Sequence, residues 1–209
     1  MFFVTDMPKA GFLCAGKTPL ALSCSVFCAY KIMDILKECG FAVGACHTEI
    51  TEPFNKYTME RAKKTLEHIC VCCELVITIG CDGFAVSDIM PDITEALCDR
   101  SVPYFGAVLC GARSILENGR HNENGGKKEG LIIAPSRATA GICGNSLVLN
   151  FPENAFAAVD LISLLIPAVG FTVYNLSGKS ARNSDEFKKF LNSSLDFHEV
   201  FKKQCIVNL

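Results

Sequence analysis

The segment from Pro135 to Pro152 combines side chains that bind phosphate with backbone that lets a ligand come close. It reads Pro135-Ser-Arg-Ala-Thr-Ala-Gly-Ile-Cys-Gly144 and continues, after one residue, as Ser146-Leu-Val-Leu-Asn-Phe-Pro152. Arg137 offers paired N–H donors that fit a phosphate, and Gly141 and Gly144 leave room beside the backbone. A packed core does not require this combination. The pattern therefore indicates a site for a phosphorylated ligand.

A second candidate anion site follows the strand predicted at 74–79. That strand is apolar throughout, as expected of a central parallel strand covered on both faces. Gly80-Cys-Asp-Gly83 comes directly after it, then Asp88, and Pro91 at the start of a short helix. A strand, a glycine loop and a helix in this order direct backbone N–H groups and the helix dipole at an anion.

Alternating strands and helices must position these two segments. Thr18 and Pro19 form a predicted N-cap and first helical residue, and Gly40 closes that helix. The predicted strands are 1–5, 41–46, 74–79, 131–134 and 146–151, and the predicted helices are 18–40, 58–70, 91–99, 105–116 and 155–166. The alternation predicts a three-layer α/β/α sandwich with a mostly parallel, doubly wound sheet. Its ligand is expected at the carboxyl ends of the strands.

The chain divides into one domain and a tail. Residues 1–178 carry the alternating pattern, and a polar, glycine-rich stretch at 117–130 predicts a surface loop within it. Residues 179–209 differ in composition, and 185–203 place phenylalanines along one side of a predicted amphipathic helix. We expect this helix to pack on its own domain, and binding to a partner is the second interpretation.

Charge and hydropathy narrow the class of protein. The formal net charge of −2 over 209 residues gives no basic surplus for nucleic-acid binding. The start of the chain lacks the basic and apolar regions of a signal peptide, and polar residues interrupt the longest apolar run, 155–173. We therefore expect a cytoplasmic protein that does not insert into a membrane.

The 13 cysteines are interpreted as buried thiols in a reducing compartment. The only cluster, Cys70-Val-Cys72-Cys73, has no second pair at zinc-site spacing. The odd count also argues against a closed disulfide framework.

Four blocks in this order resemble a known family, the molybdopterin-binding domains of molybdenum-cofactor biosynthesis. This family comprises the MoaB/Mog-type proteins and the G domain of gephyrin, and several members are molybdopterin adenylyltransferases. The blocks are Gly80–Gly83 with Asp88 and Met90-Pro91, then Pro103-Tyr-Phe-Gly-Ala107, then Ser136, Arg137, Gly141 and Gly144, and finally Leu149-Asn-Phe-Pro-Glu-Asn-Ala155. The resemblance extends over about residues 1–178.

The resemblance implies that the phosphate of molybdopterin attacks the α-phosphate of ATP, giving adenylylated molybdopterin and pyrophosphate. Nucleotidyl transfer depends mainly on positioning and charge stabilisation, and Mg²⁺ held by aspartates is expected to contribute. It also implies a homotrimer. The implied roles are Asp88 and Asp82 in catalysis, Asp88 on the metal, Ser136, Arg137, Gly141, Asn150 and Pro152 on the substrate, and Gly80, Gly83 and Asn154 on the nucleotide. Glu49 or Glu52 is the candidate for a second acid that the family has after its second strand.

Several positions depart from the family pattern and keep a rival interpretation open. Cys81 and Asp82 replace a glycine and a threonine, and Glu153 replaces a glycine. A carboxylate ~4 Å from a phosphate costs about 4 kcal/mol at an effective dielectric constant of about 20, unless a cation bridges them. The rival is a divergent, non-catalytic pterin- or nucleotide-binding or assembly module of the same fold. An unrelated doubly wound phosphate-binding domain is the third interpretation.

Individual residues also have structural interpretations. Gly80 and Gly83 suit a tight turn, Asp88 suits a helix start, and Arg137 suits a surface ion pair.

Overall fold

The computed structural model describes residues 7–119, 136–178 and Asn192. The strands are β1 Lys9–Gly16, β2 Ala42–Ile50, β3 Leu75–Ile79, β4 Arg100–Ser101, β5 Ala140–Cys143 and β6 Ser146–Phe151. The helices are α1 Pro19–Glu38, α2 Lys56–Cys72, α3 Met90–Leu97, α4 Pro103–Gly119 and α5 Ala155–Leu176.

The strands form one sheet in the order β2-β1-β3-β6-β5-β4. β1 pairs in parallel with β2 and β3, and β3 with β6, whereas β5 is antiparallel to both β6 and β4. Helices α1, α4 and α5 contribute to the apolar core on one face, and α2 and α3 to the core on the other. The predicted three-layer, mostly parallel, doubly wound α/β fold is confirmed.

The central strands are apolar because both faces of the sheet are covered. Every residue of β3 and β6 is buried, as are seven of the eight residues of β1. The caps of α1 follow the sequence: Thr18 Oγ1 accepts from the N–H of Ala21 at 3.2 Å, and Gly40 has a φ of 85° just beyond the helix.

The elements differ from the predicted ones in several places. β1, at Lys9–Gly16, is not among the predicted strands, and β5 lies inside the glycine-containing motif where no strand is expected. α5 continues through Pro167 to Leu176, ten residues beyond the predicted end. Helix α4 runs to Gly119, so residues 117–119 of the predicted loop are helical, and the rest of that loop lies outside the described residues. The strands predicted at 1–5 and 131–134, and the tail helix at 185–203, fall on residues that the structure leaves almost entirely undescribed.

Two helices are long and apolar enough to cross a membrane by length and composition alone. They are Pro19–Glu38 and Ala155–Leu176, and within their most apolar windows 39% and 61% of residues are buried in the fold. The core helix of a soluble protein passes the same test. Here both helices pack against the sheet and against each other.

The order of the strands places a topological switch point at the carboxyl ends of β1 and β3, and the space outside these two strand ends is called the crevice below. From β1 the chain enters α1 on one face of the sheet, and from β3 it enters α3 on the other. The two connections therefore diverge at the carboxyl ends of β1 and β3. Ligands of doubly wound proteins bind at such a point.

Candidate functional site

The loop after β3 begins with a turn that requires glycine. Gly80 has a φ of 84°, and its N–H donates to the carbonyl of Phe151 at 2.9 Å. A Cβ at Gly80 would lie 2.4 Å from the carbonyl oxygen of Ala15. Cys81 follows with a φ of 53°, a left-handed conformation that is costly for a residue with a side chain. This turn directs the loop toward the end of β1.

Asp88 lies inside this loop with its carboxylate almost fully buried. Its Oδ2 accepts from the N–H of Ala85 at 2.8 Å, and its side chain is 5% exposed. Gly83 packs against it so closely that a Cβ there would lie 2.7 Å from Oδ2. The glycine is thus needed for the carboxylate to fit, which its sequence position alone did not reveal.

Lys17 is the residue of this site that the sequence interpretation missed. It directly follows β1, and its Nζ lies 2.8 Å from Oδ1 and 3.0 Å from Oδ2 of Asp88. The hydrogen bond and charge of Asp88 raise the pKa of Lys17 above its ordinary value, so the side chain is a cation at neutral pH. The available signal was a lysine between an apolar run and the Thr-Pro helix start.

Asp82 and Ser136 join the two motifs that the sequence singled out. Ser136 Oγ donates to Asp82 Oδ2 at 2.5 Å and accepts from the N–H of Ala138 at 3.0 Å. The N–H of Arg137 donates to the carbonyl of Asp82 at 2.9 Å. Asp82 is 6% exposed, so its carboxylate is turned into the protein toward Ser136.

The guanidinium of Arg137 donates hydrogen bonds to acceptors within the protein. Nε donates to the Gly83 carbonyl at 2.7 Å, and Nη2 donates to the Asp88 carbonyl at 2.5 Å. Nη1 and Nη2 also contact the two carboxylate oxygens of Asp92, at 2.8 and 3.0 Å. These contacts raise the pKa of Arg137 further, the hydrogen bond to Asp92 contributing most. Arg137 therefore ties residues 136–138 to the loop after β3.

Asn150 and Gly141 serve the packing of the sheet. Asn150 is fully buried; Nδ2 donates to the hydroxyls of Thr78 and Thr94 at 2.7 and 2.9 Å, and Oδ1 accepts from the N–H of Thr139 at 3.1 Å. Gly141 lies in β5 opposite Val148, and a Cβ there would lie 2.5 Å from Cβ of Cys98.

Pro152 and Asn154 lie where β6 passes into α5. Pro152 is buried, and its carbonyl accepts from the thiol of Cys28 at 3.6 Å. Asn154 is the N-cap of α5, accepting from the N–H groups of Phe156 and Ala157 at 3.0 and 3.2 Å. Local contacts within the fold are therefore enough to position both residues.

Of the two glutamates considered for the second acid, Glu52 is bonded to the residue that precedes Asp88. Its Oε1 accepts from the hydroxyl of Ser87 at 2.9 Å, whereas Glu49 is held by Arg61 and Thr65 at 2.7 and 3.1 Å. The structure thus brings together Gly80, Asp82, Gly83, Asp88, Ser136 and Arg137, and adds Lys17 and Glu52 to them. Asn150 and Gly141 lie within the sheet.

The residues around Asp88 do not fit a magnesium site as they stand. Mg²⁺ requires several oxygen ligands in octahedral geometry. The oxygens of Asp88 are held by Lys17 and Ala85, and Oδ2 of Asp82 is held by Ser136. Within residues 7–119 and 136–178, no group of three or more His, Cys, Asp or Glu side chains is placed to hold a metal ion.

The cysteines of the described ranges are free thiols, and Cys14, Cys28, Cys39 and Cys81 are buried in the core. Burial raises the pKa of Cys28 and Cys98 to about 12 and that of Cys39 and Cys81 to about 11. Cys14 and Cys46, on neighbouring strands, have their sulfur atoms 3.3 Å apart, a hydrogen-bonding distance.

Two kinds of similarity to known proteins bear on this site. No model of a known protein family matches the chain. The chain is 29% identical over 105 residues to a molybdopterin adenylyltransferase of Helicobacter pylori, and 28% identical to that of a second strain. The first alignment includes 48% of this chain and 50% of the relative, so the chain spans about half the length of the curated relatives it matches.

Solved structures share the fold over most of the chain. The molybdopterin biosynthesis enzyme MoaB of Thermus thermophilus superposes with a TM-score of 0.64 at 23% identity, over 83% of this chain and 98% of that one. A molybdopterin biosynthesis protein of Mycobacterium abscessus gives 0.61 at 19% identity, over 82% and 95%. The resemblance drawn from the sequence motifs is therefore confirmed: the chain is similar in sequence to molybdopterin adenylyltransferases and has the α/β fold of MoaB-type molybdopterin biosynthesis proteins.

Proposed function

We propose that this protein acts in molybdenum-cofactor biosynthesis as a molybdopterin adenylyltransferase that uses ATP. The observation that carries the proposal is the crevice between β1 and β3. It brings the glycine turn at Gly80, the buried carboxylate of Asp88 and the cation of Lys17 to the carboxyl edge of a fold shared with molybdopterin biosynthesis proteins. Such an edge is where this class of fold binds its ligands.

The chemistry requires two phosphates to be held in line and their charge to be offset. Lys17 supplies a positive charge at the edge. A loop that leads from a strand into a helix can add backbone N–H donors. Ser136 and Asp82 hold the second motif against this loop, so both segments belong to one site. Arg137 acts by positioning that motif, through its bonds to Gly83 and Asp88.

The exposed tip of the loop offers a surface for a planar ring. Phe84 and Val86 are 64% and 75% exposed, beside the buried Asp88. An aromatic face stacks on flat heterocycles, and a pterin or an adenine has this shape. Phe84→Ala is therefore expected to weaken ligand binding without a loss of stability.

A pyrophosphate-release assay tests this function. The full chain is incubated with ATP, with and without molybdopterin, and the products are quantified. We expect pyrophosphate only when both substrates are present. Asp88→Asn should lower its release by at least about a hundredfold, the size seen when one preorganised electrostatic contact is removed. Asp99→Asn is the matched control at the distant hairpin, where Asp99 accepts from Gly144.

The rival function is a non-catalytic member that binds a pterin or nucleotide without turnover, or serves in assembly. It is favoured by the bonds of Asp82 to Ser136 and of Arg137 to Asp92, which engage these side chains within the protein. It is also favoured by the exposed Glu153, whose negative charge acts on Cys81 in the loop after β3. Binding of molybdopterin measured by calorimetry, together with no pyrophosphate release, would support this rival.

The homotrimer implied by the resemblance is also a proposal. Sedimentation equilibrium of the full chain tests it: a particle of three times 22.7 kDa supports it, and a monomer at micromolar concentration contradicts it.

A further inference from the structure

The connection between β1 and α1 fixes Lys17 at the mouth of the crevice. β1 ends at Gly16 and α1 begins at Pro19, so Lys17 and Thr18 are the whole connection. A Cβ at Gly16 would lie 2.3 Å from the backbone nitrogen of Leu22, so the helix packs directly on the strand end. The backbone of Lys17 therefore has little freedom, and its side chain is directed across the crevice to Asp88.

The ammonium group contacts Asp88 as a bound cation would. It lies within 3.0 Å of both carboxylate oxygens, and the carboxylate is 5% exposed while the lysine side chain is 37% exposed. An ammonium carries three N–H donors, and its exposed side remains open to a molecule entering the crevice. The other groups that act on Lys17 are Glu52 and Cys81.

We propose that Lys17 takes the place of a divalent cation on Asp88 and that the phosphate of an entering ligand binds to its ammonium group. This inference rests on the proposed function, because it identifies how that site handles phosphate. It explains why the oxygens of Asp88 are not available for a metal. It also predicts that phosphate binding does not require Mg²⁺, since a lysine ammonium acts as a fixed point charge.

Calorimetry of the full chain with inorganic pyrophosphate and, separately, with ATP tests the inference, in EDTA and in Mg²⁺. We expect pyrophosphate to bind in EDTA, with an affinity within about threefold of that in Mg²⁺. Lys17→Met should weaken binding in EDTA by about tenfold or more, the loss expected for one charge-assisted hydrogen bond. Lys17→Arg should retain most of the affinity, and Lys64→Met on the exposed face of α2 should bind as the wild type does.

Titration with Mn²⁺, followed by electron paramagnetic resonance, adds a readout that does not depend on phosphate. The wild type should show no Mn²⁺ bound below about millimolar concentration, and Lys17→Met should gain a site because Asp88 and Glu52 lose their cation. The comparison of EDTA with Mg²⁺ uses the wild type alone, so it decides the question even if the variant does not fold.

The inference is overturned if the wild type binds pyrophosphate more than about tenfold more weakly in EDTA than in Mg²⁺. It is also overturned if Lys17→Met binds pyrophosphate as tightly as the wild type does, or if the wild type binds no pyrophosphate in either condition. Its failure can be told from failure of the proposed function. If pyrophosphate binding depends on Lys17 but no adenylyl transfer occurs, the inference is supported and the proposed adenylyltransferase activity is contradicted. Adenylyl transfer by a protein whose pyrophosphate binding is lost in EDTA supports the enzyme and overturns the inference.

Discussion

Arg137 and Asp92 form a two-point ion pair, with Nη1 and Nη2 of the guanidinium 2.8 and 3.0 Å from the two carboxylate oxygens. The pair joins residue 137, which precedes β5, to the first turn of α3. The same guanidinium bonds to the carbonyls of Gly83 and Asp88. This relationship assigns the arginine of the second motif to holding the first motif in place.

Arg137→Ala is therefore expected to lower the free energy of unfolding by about 1–3 kcal/mol, because two carbonyls lose their donor. The exposed part of the ion pair adds little. Urea denaturation measures the change, and Arg100→Ala, whose guanidinium bonds to Gly144 at an exposed position, is the control with an expected change below about 0.5 kcal/mol. An unchanged stability in Arg137→Ala would show that the arginine is free to serve a ligand alone.

Asn150→Ala is expected to cost about 2–3 kcal/mol of stability, because its fully buried amide bonds to three partners. Without the amide, the hydroxyls of Thr78 and Thr94 each lose a hydrogen-bond donor, and the N–H of Thr139 loses its acceptor. Asn145→Ala in the exposed hairpin turn is the control. If thermal melts show equal stability for both variants, Asn150 does not hold β6 as described.

Gly80→Ala and Gly111→Ala are expected to change stability in opposite directions. At Gly80 a Cβ meets the Ala15 carbonyl at 2.4 Å and φ is 84°, so the loss should be at least about 2 kcal/mol. At Gly111, in helix α4, a Cβ meets nothing within 4 Å, so alanine should stabilise by about 0.5–1 kcal/mol. Equal effects in differential scanning calorimetry would contradict this geometry.

Buried thiols make stability depend on alkaline pH. Burial raises the pKa of Cys28 from its ordinary value of 9.0 to about 12, so its thiol form favours the folded state. That contribution is fully present below about pH 9 and is lost as pH rises through this value toward the folded-state pKa. The difference in free energy of unfolding between the wild type and Cys28→Ala should therefore be constant up to about pH 9 and shrink above it.

Cys24→Ala, on the exposed side of the same helix, is the control, and it should differ little from the wild type at any pH. A Cys28→Ala difference that stays constant up to about pH 11, measured by urea denaturation in a reductant, would contradict the prediction.

The sequence predicted the layers of the fold because buried parallel strands are visible as apolar runs. Leu75–Ile79 and Ser146–Phe151 are such runs, and Thr18-Pro19 marks a helix start by its chemistry. β1 was harder to predict, since Lys9–Gly16 contains glycine, alanine and cysteine and no β-branched residue. Because β1 was not predicted, the position of Lys17 at its carboxyl end could not be predicted either.

The spatial grouping of the candidate residues was predicted, but the partners of each side chain were not. Gly80, Asp88 and Ser136 meet at the carboxyl edge as the motif order implied. Asn150 and Arg137 are polar residues in the same motifs, yet their bonds depend on Thr78, Thr94 and Asp92, which are distant in sequence. Such tertiary pairing does not follow from local spacing.

The proposed function requires that the loops after β1 and β3 bind the ligand. A ¹⁵N NMR titration of the 22.7 kDa chain with ATP and with molybdopterin tests this most directly. We predict that amide resonances of Lys17, Gly80, Cys81 and Gly83 shift in a saturable way, while those of the hairpin at Gly144 do not move. Saturable shifts confined to residues away from this edge, or no shifts with either ligand, would contradict it.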